Sequence, residues 1–361
     1  MRKHNFTAGP AALPLPVLEQ IKADLPNWNA LGASVMEISH RSSDFAKILN
    51  QAESNLRELL GVPDDYAILF LQGGALLQFS VVPMNLACDR SADFIITGAW
   101  SQKAFAAAQK INPTMRIAAT TESSGFTTLP TAKEIQLNPN AAYLHLCTNE
   151  TIHGVEIAPE QLAAVPMPVV ADMSSHILSR PCEVNKFGVI YAGAQKNIGP
   201  SGLTLVIIRR DLLGLAPLNT PNLLDYAQLT ENRSMLNTPP TFAIYVANLV
   251  FEWLKNLGGV TAIDKINAQK AEKLYRTIDE SGGFYINKVE KSCRSRMNVP
   301  FLLKDERLND AFLKESLNAD CLGLKGHQSV GGFRASLYNA VSLESVGVLC
   351  EFMQDFAKRK A

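Results

Sequence analysis

The chain has 361 residues, of which 47% are hydrophobic and 19% charged, the composition of an ordinary globular protein with room for a large core and more than one domain. Lys plus Arg and Asp plus Glu are equal at 34 each, so no global field recruits nucleic acid or an anionic membrane, and any bound anion must be held by a local cluster. The six cysteines are scattered without CxxC spacing, which argues against a zinc site, any other metal centre or a disulfide framework, and no apolar run is long enough for a signal peptide or a membrane span. A reducing, cytoplasmic setting is expected.

In chain order, residues 1–15, with Gly9-Pro10 and Pro14, read as an extended arm lying on the body. A helix is expected from about Pro16 to Leu25, and a longer one from Asp44 to Leu60, capped near Ser43 and closed by Gly61, because Phe45, Ile48, Leu49, Ala52, Leu56, Leu59 and Leu60 recur at helical spacing. Strands are expected at Ala67–Leu71, Asp93–Thr97, Met115–Ala118, Tyr143–Cys147, Val169–Asp172, Val189–Ala192 and Leu203–Arg209. Several are continuous apolar runs, the mark of strands buried on both faces of a mainly parallel sheet. Near residue 258 the pattern changes. Helix Thr241–Leu257 ends at Gly258-Gly259, a long helix runs to about Ser281, and strand-like Asn298–Leu303, helix 307–317, strand-like Gly332–Tyr338 and a terminal helix from Leu343 follow. The expected fold is α/β, with an arm (1–15), a large domain (16–258) and a smaller α+β domain (259–361).

Ligand sites in such sheets gather beyond the carboxyl ends of the strands. Gly188-Val-Ile-Tyr-Ala-Gly-Ala-Gln-Lys-Asn-Ile-Gly199 is an apolar strand that stops on small residues and then presents Lys196. Pro168-Val-Val-Ala-Asp-Met-Ser-Ser-His176 is a second strand ending on an acid, Asp172. Adjacent strands would bring the two to one edge, which is the pairing that pyridoxal phosphate requires: a lysine for its aldehyde and a carboxylate for its pyridine nitrogen. Plainer readings stay open here, a solvated loop lysine and a helix-capping aspartate. Leu69-Phe-Leu-Gln-Gly-Gly-Ala-Leu-Leu-Gln78 is strand, Gly73-Gly74, then helix, where backbone N–H groups can cradle a phosphate, although a simple turn has the same pattern. Trp100, after another strand, is placed either to stack on a planar ring or to fill the core. Arg334, between Phe333 and Ala335, serves either a carboxylate ligand or an internal ion pair.

Nine segments together carry a resemblance that extends over nearly the whole chain: Asn5-Phe-Thr-Ala-Gly-Pro10, Ile38-Ser-His-Arg41, Gly73-Gly-Ala75, Gly98-Ala-Trp-Ser101, Asn149-Glu-Thr-Ile-His-Gly154, Ala171-Asp-Met-Ser-Ser175, Tyr191-Ala-Gly-Ala-Gln-Lys-Asn197, Leu236-Asn-Thr-Pro-Pro240 and Gly331-Gly-Phe-Arg-Ala-Ser336. The chain resembles the class V pyridoxal-phosphate-dependent aminotransferases. The resemblance implies a fold type I homodimer with shared active sites that transfers the amino group of L-glutamate to 3-phosphohydroxypyruvate, giving O-phospho-L-serine and 2-oxoglutarate in serine biosynthesis. It also allows 4-phosphohydroxythreonine, in pyridoxine biosynthesis, as a substrate. Lys196 would be the Schiff-base lysine, Asp172 the partner of the ring nitrogen, Trp100 the stacking residue and Thr151 the bond to the ring hydroxyl side. Gln195 and the Gly74, Ala75 and Leu76 backbone would hold the cofactor phosphate, joined by Asn237 and Thr238 of the other subunit. Thr7, His40, Arg41, His327 and Arg334 would surround the substrate, Arg334 at its α-carboxylate. Three positions depart from the family pattern: Gln328 replaces a second basic residue after the histidine, Leu76 replaces serine or arginine, and Thr7 replaces a serine. The rival readings are an aminotransferase of unphosphorylated keto acids, of the serine or alanine-glyoxylate type, and a cysteine desulfurase, for which only Cys321 is even loosely placed. A nucleotide-binding oxidoreductase fits the alternating pattern but lacks the glycine fingerprint.

Overall fold

Strand residues that point alternately to two apolar layers explain why the sheet sequences are unbroken apolar runs. In the computed structural model, which describes residues 2–157 and 165–360, the strands β1 (Tyr66–Gln72), β2 (Asp93–Ile96), β3 (Arg116–Thr120), β4 (Leu144–Cys147), β5 (Val169–Asp172), β6 (Val189–Gly193) and β7 (Leu203–Arg209) form one sheet in the order β1-β7-β6-β5-β4-β2-β3. Ile68 and Phe70 of β1 enter the core on one face, while Ala67, Leu69 and Leu71 enter the core on the other. Only β7 runs against its neighbours; β6, β5, β4, β2 and β3 pair in parallel. The carboxyl ends of all strands but β7 therefore open on one edge, where an α/β sheet places its ligands.

The helices that flank this sheet are α1 (Leu15–Asp24), α2 (Ser43–Leu60), α3 (Ala75–Leu86), α4 (Ala99–Ile111), the short α5 (Tyr226–Glu231) and α6 (Thr241–Asn256). Helix α2 buries the apolar stripe read from the sequence. Its cap is Ser42, whose hydroxyl accepts the Phe45 N–H at 3.2 Å, one residue before the expected position, and Gly61 closes it in the left-handed conformation.

From Gly259 onward the chain builds a third core. It comprises α7 (Gly259–Asp279), an antiparallel three-stranded sheet of Tyr285–Ile286, Asn298–Leu303 and Phe333–Ser336, then α8 (Asn309–Asn318) and α9 (Leu343–Lys360). Phe312 sits at its centre, with ring centroids 4.4 Å from Phe333 and 5.2 Å from Phe356. The amino-terminal arm belongs to this core: His4–Asn5 pairs in parallel with Cys321–Leu322, and Phe6 is fully buried among its residues. Downstream of that anchor the arm crosses to the other body, where the Ala11 N–H donates to the Gln195 carbonyl at 2.9 Å. Among the described residues no helix is long and apolar enough to cross a membrane.

Candidate active site

The turn that carries Lys196 is built from the end of β6. The Gly193 N–H donates to Ser174 Oγ at 3.1 Å, and a Cβ on Gly193 would stand 2.6 Å from Gln195 Oε1, so only glycine lets Gln195 fold back over the strand end. The turn closes on Ala194, whose carbonyl accepts the N–H groups of Lys196 (2.7 Å) and Gly199 (2.8 Å). Asn197 braces it from behind, donating to the Ile177 carbonyl and accepting the Asn339 N–H. Thus fixed, the half-buried Lys196 donates from Nζ to Thr151 Oγ1 at 2.7 Å. Burial lowers its pKa, and the nearby Asp172 charge acts in the opposite sense. Thr151 itself sits in a hairpin turn between Asn149–Glu150 and Val155–Glu156, at whose end a Cβ on Gly154 would collide with Pro300 at 2.3 Å.

Asp172 ends β5 in register with Cys147 on one side and Tyr191 on the other. It is buried, and its Oδ1 accepts the Ser174 N–H at 2.8 Å. Burial raises its pKa, while the Ser174 hydrogen bonds and the Lys196 charge pull it back down. Trp100 opens α4 and is positioned by a residue that sequence patterns do not single out, the fully buried Glu150. The Glu150 carboxylate accepts the N–H of Trp100 (3.0 Å), the N–H of Ser101 (2.9 Å) and the Ser101 hydroxyl (2.6 Å), capping the helix from outside its own segment. Gly98 makes this possible, because a Cβ there would lie 2.5 Å from the carboxylate.

At α3, Gly73 takes a φ of 97°, Gly74 is extended, and no side chain caps the helix. Its first N–H groups are left to a ligand. The start of α3, Trp100, Thr151, Asp172, Gln195 and Lys196 all line one cavity of about 130 Å³. Eight of the expected positions therefore converge, Gly74, Ala75 and Leu76 supplying the α3 wall.

Arg334 borders the same space through Thr151, donating from Nη1 to the Thr151 carbonyl at 3.2 Å. Among the described residues no carboxylate pairs with it, so the internal ion pair is not formed, and burial lowers its pKa. His327 lies in the loop before Arg334, with Nδ1 2.8 Å from Ser329 Oγ. Thr7 is in the arm, bonded to Asn5 Oδ1 and to the Pro10 carbonyl. His40, Arg41, Asn237 and Thr238 do not reach the Lys196 cavity within this chain. Arg41 Nε meets His40 Nε2 at 3.4 Å, and the exposed Asn237 and Thr238 pack against Gln72, which donates to the Thr238 carbonyl. Cys321 is fully buried and its thiol is pushed up to about 11 by burial, the opposite of a mobile nucleophile. Among the described residues no cluster suited to a metal ion occurs.

The family model of class-V aminotransferases matches residues 4–349. The chain is 53% identical over 363 residues to a phosphoserine aminotransferase of Aromatoleum aromaticum, with 99% of each chain covered. Among solved structures it superposes with a TM-score of 0.95 on a phosphoserine aminotransferase from Bacillus circulans subsp. alkalophilus, at 46% identity over 100% of this chain and 99% of that one. The pyridoxal-phosphate-bound phosphoserine aminotransferase of Trichomonas vaginalis gives 0.93 at 42% identity, covering 98% of this chain and 100% of the other.

Proposed function

The chain belongs to the class-V aminotransferase family, and from that premise we propose that it exchanges an amino group between L-glutamate and 3-phosphohydroxypyruvate, forming O-phospho-L-serine and 2-oxoglutarate in serine biosynthesis. It is a pyridoxal-phosphate-dependent transaminase. The observation that carries the proposal is the pairing of a half-buried amine, Lys196, bonded to a hydroxyl rather than to a carboxylate, with a buried carboxylate, Asp172, on the wall of the same cavity.

The donor set fits the cofactor on its own chemistry. Buried Asp172 has a hydrogen bond on Oδ1 and, among the described residues, no cation partner within bonding distance, so it is suited to hold a protonated ring nitrogen. The buried Trp100 Nε1 lacks a hydrogen-bond partner among the described residues, and the uncapped start of α3 offers N–H groups to a phosphate. Pyridoxal phosphate supplies an aldehyde that captures amino groups and a ring that takes up the electrons released when a proton leaves the substrate. Around it, Trp100 would pack on the ring, Thr151 would bond its hydroxyl side, and Gln195 with the Gly74, Ala75 and Leu76 backbone would hold its phosphate. Lys196 Nζ would be the general base that carries the substrate's α-proton, a task for which its burial-lowered pKa suits it. Arg334 would fix the substrate's α-carboxylate through two parallel hydrogen bonds.

Completion of the site by a second copy of the chain is part of the same reading. Asn237, Thr238, His40 and Arg41 stay outside the cavity, and apolar side chains stand in water beside α3: Leu76 at 60% exposure, Leu77 at 44% and Leu223 at 51%. A surface of this kind favours burial against another copy. The reading also keeps the arm, the 16–258 domain and the 259–361 domain as units, with the cofactor held by the second. Six free cysteines fit a cytoplasmic setting.

The direct test is the absorbance of the bound cofactor while O-phosphoserine, serine and alanine are added in parallel. Rapid loss of the aldehyde band with O-phosphoserine alone is the expected result. Equal rates with serine or alanine would move the substrate to the unphosphorylated keto acids.

A further inference from the structure

Position 328, immediately after His327, is glutamine, so the loop before Arg334 places no second basic residue directly after its histidine, and its other cation, Lys325, is exposed. His327 Nδ1 accepts the Ser329 N–H at 3.2 Å, which puts the proton of a neutral ring on Nε2. Burial, then the charges of Arg334 and Lys103, hold this imidazole below its usual range. His153, on another side, is also kept low by burial and by His327, with its Nδ1 accepting the Ala99 N–H at 3.3 Å. Both histidines therefore bring donors, and neither brings charge. Arg334 is committed to the Thr151 side of the cavity. A second cation whose charge reaches His327 is Lys103, one turn along α4 from Trp100, whose Nζ lies 4.6 Å from the centroid of the Trp100 ring. Among the described residues no carboxylate pairs with Lys103, His327 or Arg334. In a chain whose charges balance overall, two cations without counter-ions beside a neutral donor, Lys103 and Arg334 around His327, favour an anion.

Resting on the reading of the substrate as a phosphorylated amino acid, we propose that Lys103 determines specificity: its ammonium, steadied over the Trp100 ring, contacts the substrate's phosphate and supplies the charge that position 328 lacks. A dianion gains more from this ammonium than a carboxylate does, so the effect separates O-phosphoserine from glutamate.

The test uses the holoenzyme with Lys103→Gln, Lys103→Arg and the double variant Lys103→Gln/Gln328→Lys. Lys103→Gln should raise the KM for O-phosphoserine about tenfold and weaken inorganic phosphate binding, measured by calorimetry, about as much, with kcat within about twofold and the KM for glutamate less affected. Lys103→Arg and the double variant should each recover most of the loss. Unchanged KM and phosphate affinity in Lys103→Gln, in an enzyme that turns over O-phosphoserine, would overturn the proposal. So would an equal fall in kcat with both substrates, which marks a structural role at Trp100. A wild-type holoenzyme that uses serine or alanine as well as O-phosphoserine and binds no phosphate would sink the functional reading, and this proposal with it.

Discussion

Lys196 and Lys270 are both drawn out of water by folding, and burial lowers the pKa of each, yet the two regions use an amine in opposite ways. Lys270 is fully buried in α7, and its Nζ donates to three backbone carbonyls, those of Leu337, Tyr338 and Val341, each at 2.9 Å. In its ammonium form all three protons are taken. Lys196 donates to one hydroxyl and lines a cavity. Desolvation alone therefore does not make a reactive lysine; spare donors and empty space beside the nitrogen do. Lys270 is a clamp that ties α7 to the chain just beyond Arg334 and Tyr338, whereas Lys196 is held in readiness.

The sharpest way to break this comparison is to remove each nitrogen. Lys196→Ala should cut turnover by at least about 10⁴-fold, because the covalent attachment and the proton carrier go together. The apoprotein should unfold at the same temperature as the parent or a higher one, since a half-buried amine has been removed from a polar cavity. Substantial steady-state activity in this variant would refute the role given to Lys196, and a large drop in melting temperature would make it a structural residue like Lys270.

The second lysine should behave the other way round. Lys270→Met leaves the buried Leu337 and Val341 carbonyls without a donor, while the Tyr338 carbonyl keeps the Val341 N–H, a loss of about 3 kcal/mol in stability, roughly a hundredfold in the folding equilibrium. Turnover per folded molecule should be nearly kept. Burial pushes the Lys270 pKa down to about 7 from an ordinary lysine's 10.5. Between these values the unfolded chain binds the proton and the native chain does not, so parent stability should gain with rising pH across that window. The gain from this residue should vanish in Lys270→Met. Chemical denaturation of both proteins at several pH values checks it, and a variant as stable as the parent would dissolve the contrast.

This contrast also marks what could be read from sequence. Lys196 and Asp172 stand at the ends of apolar runs, and runs that enter both cores of a mainly parallel sheet put their ends on one edge, so their convergence was legible. So were α2 and the sheet strands, within a residue or two, because Ile68 and Phe70 against Leu69 and Leu71 encode burial on both faces. Lys270 and Glu150 were not. Each looks like an ordinary surface charge until tertiary structure brings carbonyls, or a helix start from a distant segment, against it. The pairing of His4–Asn5 with Cys321–Leu322 was hidden for a related reason: two residues carry no period, and their partner lies at the far end of the chain. Lys103 was missed because its neighbours in sequence place it on an exposed helical face, and its meaning comes from His327 and Arg334.

The smallest effect is expected where the side chain has least to do with the chemistry. Leu76 lines the cavity at the start of α3 yet is 60% exposed, and no side chain caps that helix. If the phosphate rests on main-chain N–H groups and the helix dipole, a hydroxyl added at this position meets an anion whose needs are already met. Leu76→Ser should then change the affinity of the apoprotein for pyridoxal phosphate by no more than about threefold, as one extra neutral hydrogen bond in water exchange would. A fluorescence titration of apoprotein with the cofactor measures it. A gain above tenfold would show that the backbone cradle is incomplete and that leucine here leaves a donor missing; a comparable loss would show that the apolar side chain is itself part of the proposed contact with a second copy.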